Sequence, residues 1–290
     1  MARTVAQALE KFLEDLVPLP SQRDAAAQHR ASVETSLKNG LSVSRFRDIG
    51  SFGHGTGIRG HHDVDLLVSI SNDSKPATSA TTLEQVKKVL SASFPSTTVR
   101  VSRPSVVVEF NGGAEKWEVT PGFIKSAKDA PVLYDIPGVG AGNWMESAPL
   151  EHLAYGNEVN GMTEIAGGAK KLARLVKAWK YYNNVPISSF YLEMRSAKYL
   201  STEKFFEPLE DICRLLEQLV KLELADMNDP KGIASRFAAC SSVPNHDDAL
   251  SKAKTGASRA RKALDAKKAG NEVLAFQYLD LLFNGKFPAR

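Results

Sequence analysis

Apolar residues at Val5, Leu9, Phe12, Leu13 and Leu16 recur every three to four positions, which puts them on one face of a helix, and Pro18 and Pro20 break the run. A second helical run is predicted over 21–37, ending at Asn39 and Gly40. Residues 42–49 then alternate as a strand does and lead into a glycine-rich loop. Next comes VDLLVSI at 64–70, short, β-branched and apolar, the pattern of a strand covered on both faces. The turn-rich 72–80 gives way to a helix over 83–93, with Leu83, Val86, Val89 and Leu90 on one face. Three further strands are predicted at 99–101, 106–110 and 116–119, the last two joined by the hairpin signal Asn111-Gly112-Gly113.

From about Leu150 onward only helical periodicity is left, over 166–182, 189–199, 208–224, 233–239, 247–269 and 271–283. The pattern therefore predicts an α+β protein in two parts. A core over 1–150 would carry a mixed or antiparallel sheet and the two leading helices, and a helical unit would occupy 151–290. The passage from Tyr134 to Asn143, with Pro137, Gly138, Gly140 and Gly142, is expected to be flexible and near the boundary.

Composition narrows the class. The 290 residues are 43% hydrophobic and 24% charged, enough to bury a core in each part and without a disordered bias. Cys213 and Cys240 lie far apart without metal-type spacing, so neither a disulfide framework nor a zinc site is supported and two free thiols are expected. The opening MARTVAQALEKFLEDL mixes charges into its apolar positions, unlike a signal peptide, and no stretch has the length of a membrane span. A cytoplasmic protein without a membrane partner is expected. Basic residues gather at Lys170, Lys171, Arg174, Lys177 and Lys180, and again from Lys252 to Lys268. Such clusters suit an anionic ligand, although a solvated helix face looks the same in sequence.

The chemistry concentrates between Gly50 and Val68. A strand ends in Gly50-Ser51, a loop with four more glycines follows, and the next strand opens on Asp63-Val64-Asp65. Residues two apart on a strand share a face, so Asp63 and Asp65 present adjacent carboxylates, whose mutual repulsion recruits a cation. Magnesium, with manganese as a substitute, suits a few carboxylates completed by water and phosphate oxygens. The glycines let backbone amides approach a triphosphate, and the Ser51 hydroxyl adds a donor.

The pattern G-S-x-x-x-G-T-x-I-x-x-x-x-D-V-D-L, read from Gly50 to Leu66, resembles the polymerase-beta-like nucleotidyltransferases, and most of all their cGAS/DncV-like branch, the CD-NTases, relatives of oligoadenylate synthetase. The resemblance implies a third carboxylate, matched by Glu118 in Trp117-Glu118-Val119-Thr120-Pro121, where many relatives carry aspartate. Glu109 is the rival acid, but it lies before the turn. The segments Leu172–Trp179 and Ile187–Glu193 resemble the family's Leu-Lys-x-Trp and Ser-Ser-aromatic-x-Leu-Glu helices. By that match Lys177 contacts phosphate, Ser189 hydrogen-bonds it and Phe190 stacks on the base, with Lys170 and Lys171 as secondary phosphate contacts. His61 and His62 receive no role, and His54 and Arg59 are weaker phosphate candidates.

The resemblance thus implies a Mg2+-dependent enzyme with Asp63, Asp65 and Glu118 as catalytic and metal-holding residues. Its substrates would be ATP, GTP, UTP or CTP, and its products cyclic di- or trinucleotide second messengers in bacterial antiphage signalling. An activating partner is compatible with this reading, and nucleic acid is not required. Synthesis of linear oligonucleotides, nucleotidyl transfer to RNA or protein, and a non-catalytic nucleotide-binding role are the alternatives.

Overall fold

The computed structural model describes residues 4–61, 63–113, 115–126, 131–138 and 143–290, with 21–27 as backbone only. Helix α1 (Val5–Asp15) starts at a capping box, in which the Thr4 hydroxyl accepts the Gln7 N–H and the Gln7 side chain accepts the Thr4 N–H. Helix α2 (Pro20–Gly40) leads to strand β1 (Val43–Ile49), a five-residue helix α3 (Gly50–His54) and strand β2 (Val64–Ile70). Helix α4 (Ser79–Ser93) precedes β3 (Thr98–Ser102), β4 (Ser105–Phe110), β5 (Glu115–Ile124), β6 (Tyr134–Pro137) and β7 (Trp144–Ser147). Six helices complete the chain: α5 (Pro149–Asn160), α6 (Gly168–Tyr182), α7 (Ser189–Leu200), α8 (Pro208–Lys221), α9 (Val243–Lys268) and α10 (Glu272–Leu282).

The sheet is mixed, as expected. Its order is β1-β2-β5-β4-β3, with β6 on β5 and β7 on β6. Among the described residues only β2 and β5 run parallel, and their register pairs Asp65 with Glu118. Parallel strands need cover on both faces, and Val64, Leu66, Leu67, Val68 and Ile70 of β2 are all buried.

Apolar side chains sort into one cluster around the sheet with α2 and α4, and a larger one around α5 to α10. Helix α1 joins the larger cluster. Its Phe12 ring lies 4.6 Å from Phe283 and 5.3 Å from Phe287, and the Val5 N–H donates to Glu272 Oε2 at 2.6 Å. The sequence division at residue 150 put this helix with the N-terminal core; the chain's first apolar face is instead buried among its last helices.

Three local expectations are corrected. Residues 233–239 are not helical, because Asp229 Oδ2 accepts the N–H groups of Ile233 and Ala234 and its Oδ1 that of Lys231, while Met227 and Phe237 form a backbone bridge. The glycine-rich loop begins as a helical turn, α3. The passage expected to be flexible forms an antiparallel ladder, Tyr134–Pro137 against Trp144–Ser147, with 139–142 outside the described residues. Helix α5 had no counterpart in the predicted pattern.

Candidate active site

Strand β2 delivers Asp65 to the mouth of the sheet, with Asp63 just before it and Glu118 beside it on β5. All three acids line one cavity of about 770 Å³ with Gly50, Ser51, Lys180, Tyr181, Ser188, Ser189, Phe190 and Glu193. A second cavity of about 1400 Å³ adjoins it, sharing Gly50, Asp65, Glu118, Ser188 and Phe190 and adding Thr120, His152, Ser235, Arg236 and Phe237. Asp65 and Glu118 therefore stand in the wall common to two chambers.

Gly50 is required where it stands. Its φ is +55°, and a Cβ there would fall 2.0 Å from Asp65 Oδ2. The carboxylate is thus pressed against the bare backbone that opens α3. Burial, then the negative charges of Glu118 and Asp63, push the Asp65 carboxyl up to about 8. The Lys116 ammonium lies 3.1 Å from Asp63 Oδ2 and 2.5 Å from Glu118 Oε1. Among the described residues no three His, Cys, Asp or Glu side chains form a ready-made metal cage. The donor set nevertheless fits a hard divalent ion: three carboxylates face one cavity, one is raised by burial and by its neighbours' charges, and two already bind a cationic nitrogen. Glu109, the rival acid, pairs with Arg100 at 3.1 Å and does not line the cavity.

The helical wall differs from expectation at one residue. Lys177 is completely buried, and its Nζ donates to Glu193 Oε1 at 2.7 Å, to the Thr56 carbonyl at 2.9 Å and to Thr56 Oγ1 at 3.3 Å. It does not reach the cavity, so the phosphate contact expected of Lys177 is corrected: its donors are already committed. Lys180, one turn later, lines the cavity and donates to Ser189 Oγ at 2.6 Å. Burial and then the nearby Lys177 charge lower the Lys180 ammonium to about 8, against the pull of Glu193 and Asp63.

Ser189 is the first residue of α7 and faces the cavity, while Ser188 is the N-cap and accepts the Tyr191 N–H. Tyr181 completes the Ser189 cluster, with its hydroxyl 3.2 Å from Ser189 Oγ, and stacks on His61 at 4.7 Å between ring centres. Phe190 lines both cavities and packs on Phe237 at 4.8 Å and on His152 at 5.0 Å. Lys180 was read only as part of the basic cluster and Tyr181 was not singled out; both line the cavity about one helical turn past Lys177.

Glu193 ties the glycine-rich segment to the helices. His54 Nδ1 lies 2.7 Å from its Oε2, and Thr56 Oγ1 donates to its Oε1 at 2.6 Å. Burial alone would raise its carboxyl, but Lys177 and then His54 hold it well below the usual carboxylate range. Arg59 turns away from the cavity and donates to the Val17 carbonyl at 2.9 Å. Lys170 lies beside a separate small cavity with His54 and Thr56. His62 lies outside the described residues.

Solved structures share this architecture. CdnC of E. coli MS115-1, described with ATP, superposes with a TM-score of 0.76 at 21% identity, covering 98% of this chain and 99% of that one. The Bradyrhizobium diazoefficiens CD-NTase CdnG, in complex with GTP, gives 0.69 at 13% identity over 96% and 98%. Vibrio cholerae DncV cyclic AMP-GMP synthase, with a linear intermediate, gives 0.65 at 14% over 97% and 87%. No curated protein sequence matches the chain.

The mixed sheet, with Asp65 and Glu118 on its parallel strand pair and helices beside it, has the same fold as these solved structures. Residues 3–160 match the Second Messenger Oligonucleotide or Dinucleotide Synthetase domain, and the chain belongs to that family.

Proposed function

We propose that the protein is a Mg2+-dependent synthase that joins ribonucleoside triphosphates into a cyclic di- or trinucleotide signal, in bacterial defence against phage. The observation that carries this reading is the placement of Asp65 and Glu118 in the wall between two adjoining cavities. One chamber suits a donor triphosphate and the other an acceptor nucleotide. The ATP and GTP described with CdnC and CdnG support nucleoside triphosphates as substrates.

Asp63, Asp65 and Glu118 would hold divalent magnesium, or manganese in its place. That ion's chemistry is to increase the acidity of an attacking ribose hydroxyl and to offset charge on departing pyrophosphate. The chain's own residues supply position and charge. Lys180 and the Ser189 hydroxyl face the smaller cavity as phosphate donors, and Ser51 adds a hydroxyl beside Asp65. Phe190 offers a ring face for a base. Burial and its acidic neighbours raise the Asp65 carboxyl to about 8, so holding a divalent ion would require Asp65 to be ionised. Nucleotidyl transfer is then largely a matter of holding hydroxyl, phosphorus and leaving group in line.

The test is mass spectrometry of products from all four ribonucleoside triphosphates with Mg2+ or Mn2+, before and after phosphatase. A product that resists phosphatase supports cyclisation, and one that loses terminal phosphate makes the enzyme a linear oligonucleotide synthase. Unconsumed triphosphates under every condition count against the synthase reading.

A further inference from the structure

The acids at the mouth of β2 carry a cation of their own. Lys116 sits two residues before Glu118 on β5, so both side chains leave the same face of the strand. The parallel register pairs Val64 with Trp117, which brings Asp63, one residue earlier, level with Lys116. The lysine head thus lies between two acids on adjacent strands, 3.1 Å from Asp63 Oδ2 and 2.5 Å from Glu118 Oε1.

We propose that Lys116 is a tethered counter-ion that competes with the divalent cation for Asp63 and Glu118 and gives way when that cation enters. This rests on the reading of Asp63, Asp65 and Glu118 as the metal-holding acids. An ammonium brings one positive charge to a pair of carboxylates where magnesium brings two, so the ion wins the Coulomb contest once its dehydration is compensated. The Lys116 side chain is 29% exposed and has a flexible four-carbon stem, so its head can withdraw toward solvent while β5 stays in place. Against this occupant, metal alone binds weakly. A triphosphate that arrives with its own magnesium adds oxygen ligands and displaces the lysine, so ion and substrate enter together.

The measurement is Mn2+ titration of the full chain without nucleotide, followed by electron paramagnetic resonance of the free ion. K116M should bind Mn2+ about three- to tenfold tighter than the original protein, as expected for release of two partly exposed ion pairs. K116R, which keeps the cation, should show no gain. A folded K116M that binds Mn2+ no tighter overturns the proposal. So does a K116M that loses thermal stability and Mn2+ affinity together, the signature of a lysine that only braces the strands. D65N separates the two levels: Mn2+ binding that survives D65N undermines the reading of the acids, whereas loss in D65N beside no gain in K116M refutes only the role of Lys116.

Discussion

Lys177 and Glu193 form an ion pair 2.7 Å long, with side chains 0% and 4% exposed, and that pair fixes what the lysine does. A buried charge without its partner is costly, so removing one member destabilises far more than removing an exposed pair. Lys177→Met is expected to lower unfolding stability by about 3 kcal/mol or more. Urea denaturation checks this; normal stability with weakened nucleotide binding would return Lys177 to a phosphate role.

Lys180 carries the opposite expectation. Its ammonium contacts Ser189 within the cavity and is lowered to about 8, so a triphosphate restores a charge that burial disfavours. Lys180→Ala should weaken ATP or GTP binding by about 10- to 100-fold, the range of a charged hydrogen bond, with little change in melting temperature. Calorimetric titration reads the affinity. Because Lys180 loses its proton as pH rises through about 8, wild-type affinity should also fall there, and the fall should vanish in the variant.

Asp65 makes the metal-free protein sensitive to pH in a defined direction. Its folded carboxyl is raised to about 8 from an ordinary value near 4, so between those values the folded state binds the extra proton. Stability therefore declines as pH rises from about 4 to about 8. Asp65→Asn should flatten that slope and stabilise the protein at pH 8 by on the order of 2 kcal/mol, while abolishing nucleotide turnover. Thermal melts in chelator from pH 5 to 9 test it, and an unchanged slope would remove Asp65 as its source.

Gly50→Ala places a methyl group against the Asp65 carboxylate on a backbone with positive φ. Turnover should fall at least tenfold, with a stability cost of about 1–3 kcal/mol from the strained conformation. Steady-state kinetics with Mg2+ and mixed triphosphates would show it; near-normal turnover would mean that Asp65 can shift without cost.

One acid-bearing strand was legible because burial left a plain signature: 64–70 was bounded from its apolar run alone and β2 occupies those residues, whereas β5 runs over Glu115–Ile124 where 116–119 was expected. Glu118 came from resemblance, and its register opposite Asp65 is a long-range fact that no local period encodes. That Lys180 rather than Lys177 lines the cavity was hidden because both lie on one helix about a turn apart, and only the third dimension shows which meets Glu193. The apolar neighbours Leu175, Val176 and Trp179 were the available hint that Lys177 is enclosed. Residues 233–239 misled because their apolar spacing suits a helix, whereas the outcome is decided by Asp229, upstream of that window.

That aspartate separates two problems an enzyme lineage must solve. By capturing backbone groups of Lys231, Ile233 and Ala234, it fixes one rim of the larger chamber, leaving Ser235 and Arg236 to project from a preset frame. Exchanges at those two positions change the lining of the chamber and leave β2 and β5, which bear the acids, as they are. Under the proposed function, what the larger chamber accepts could therefore be altered by selection apart from the acids themselves.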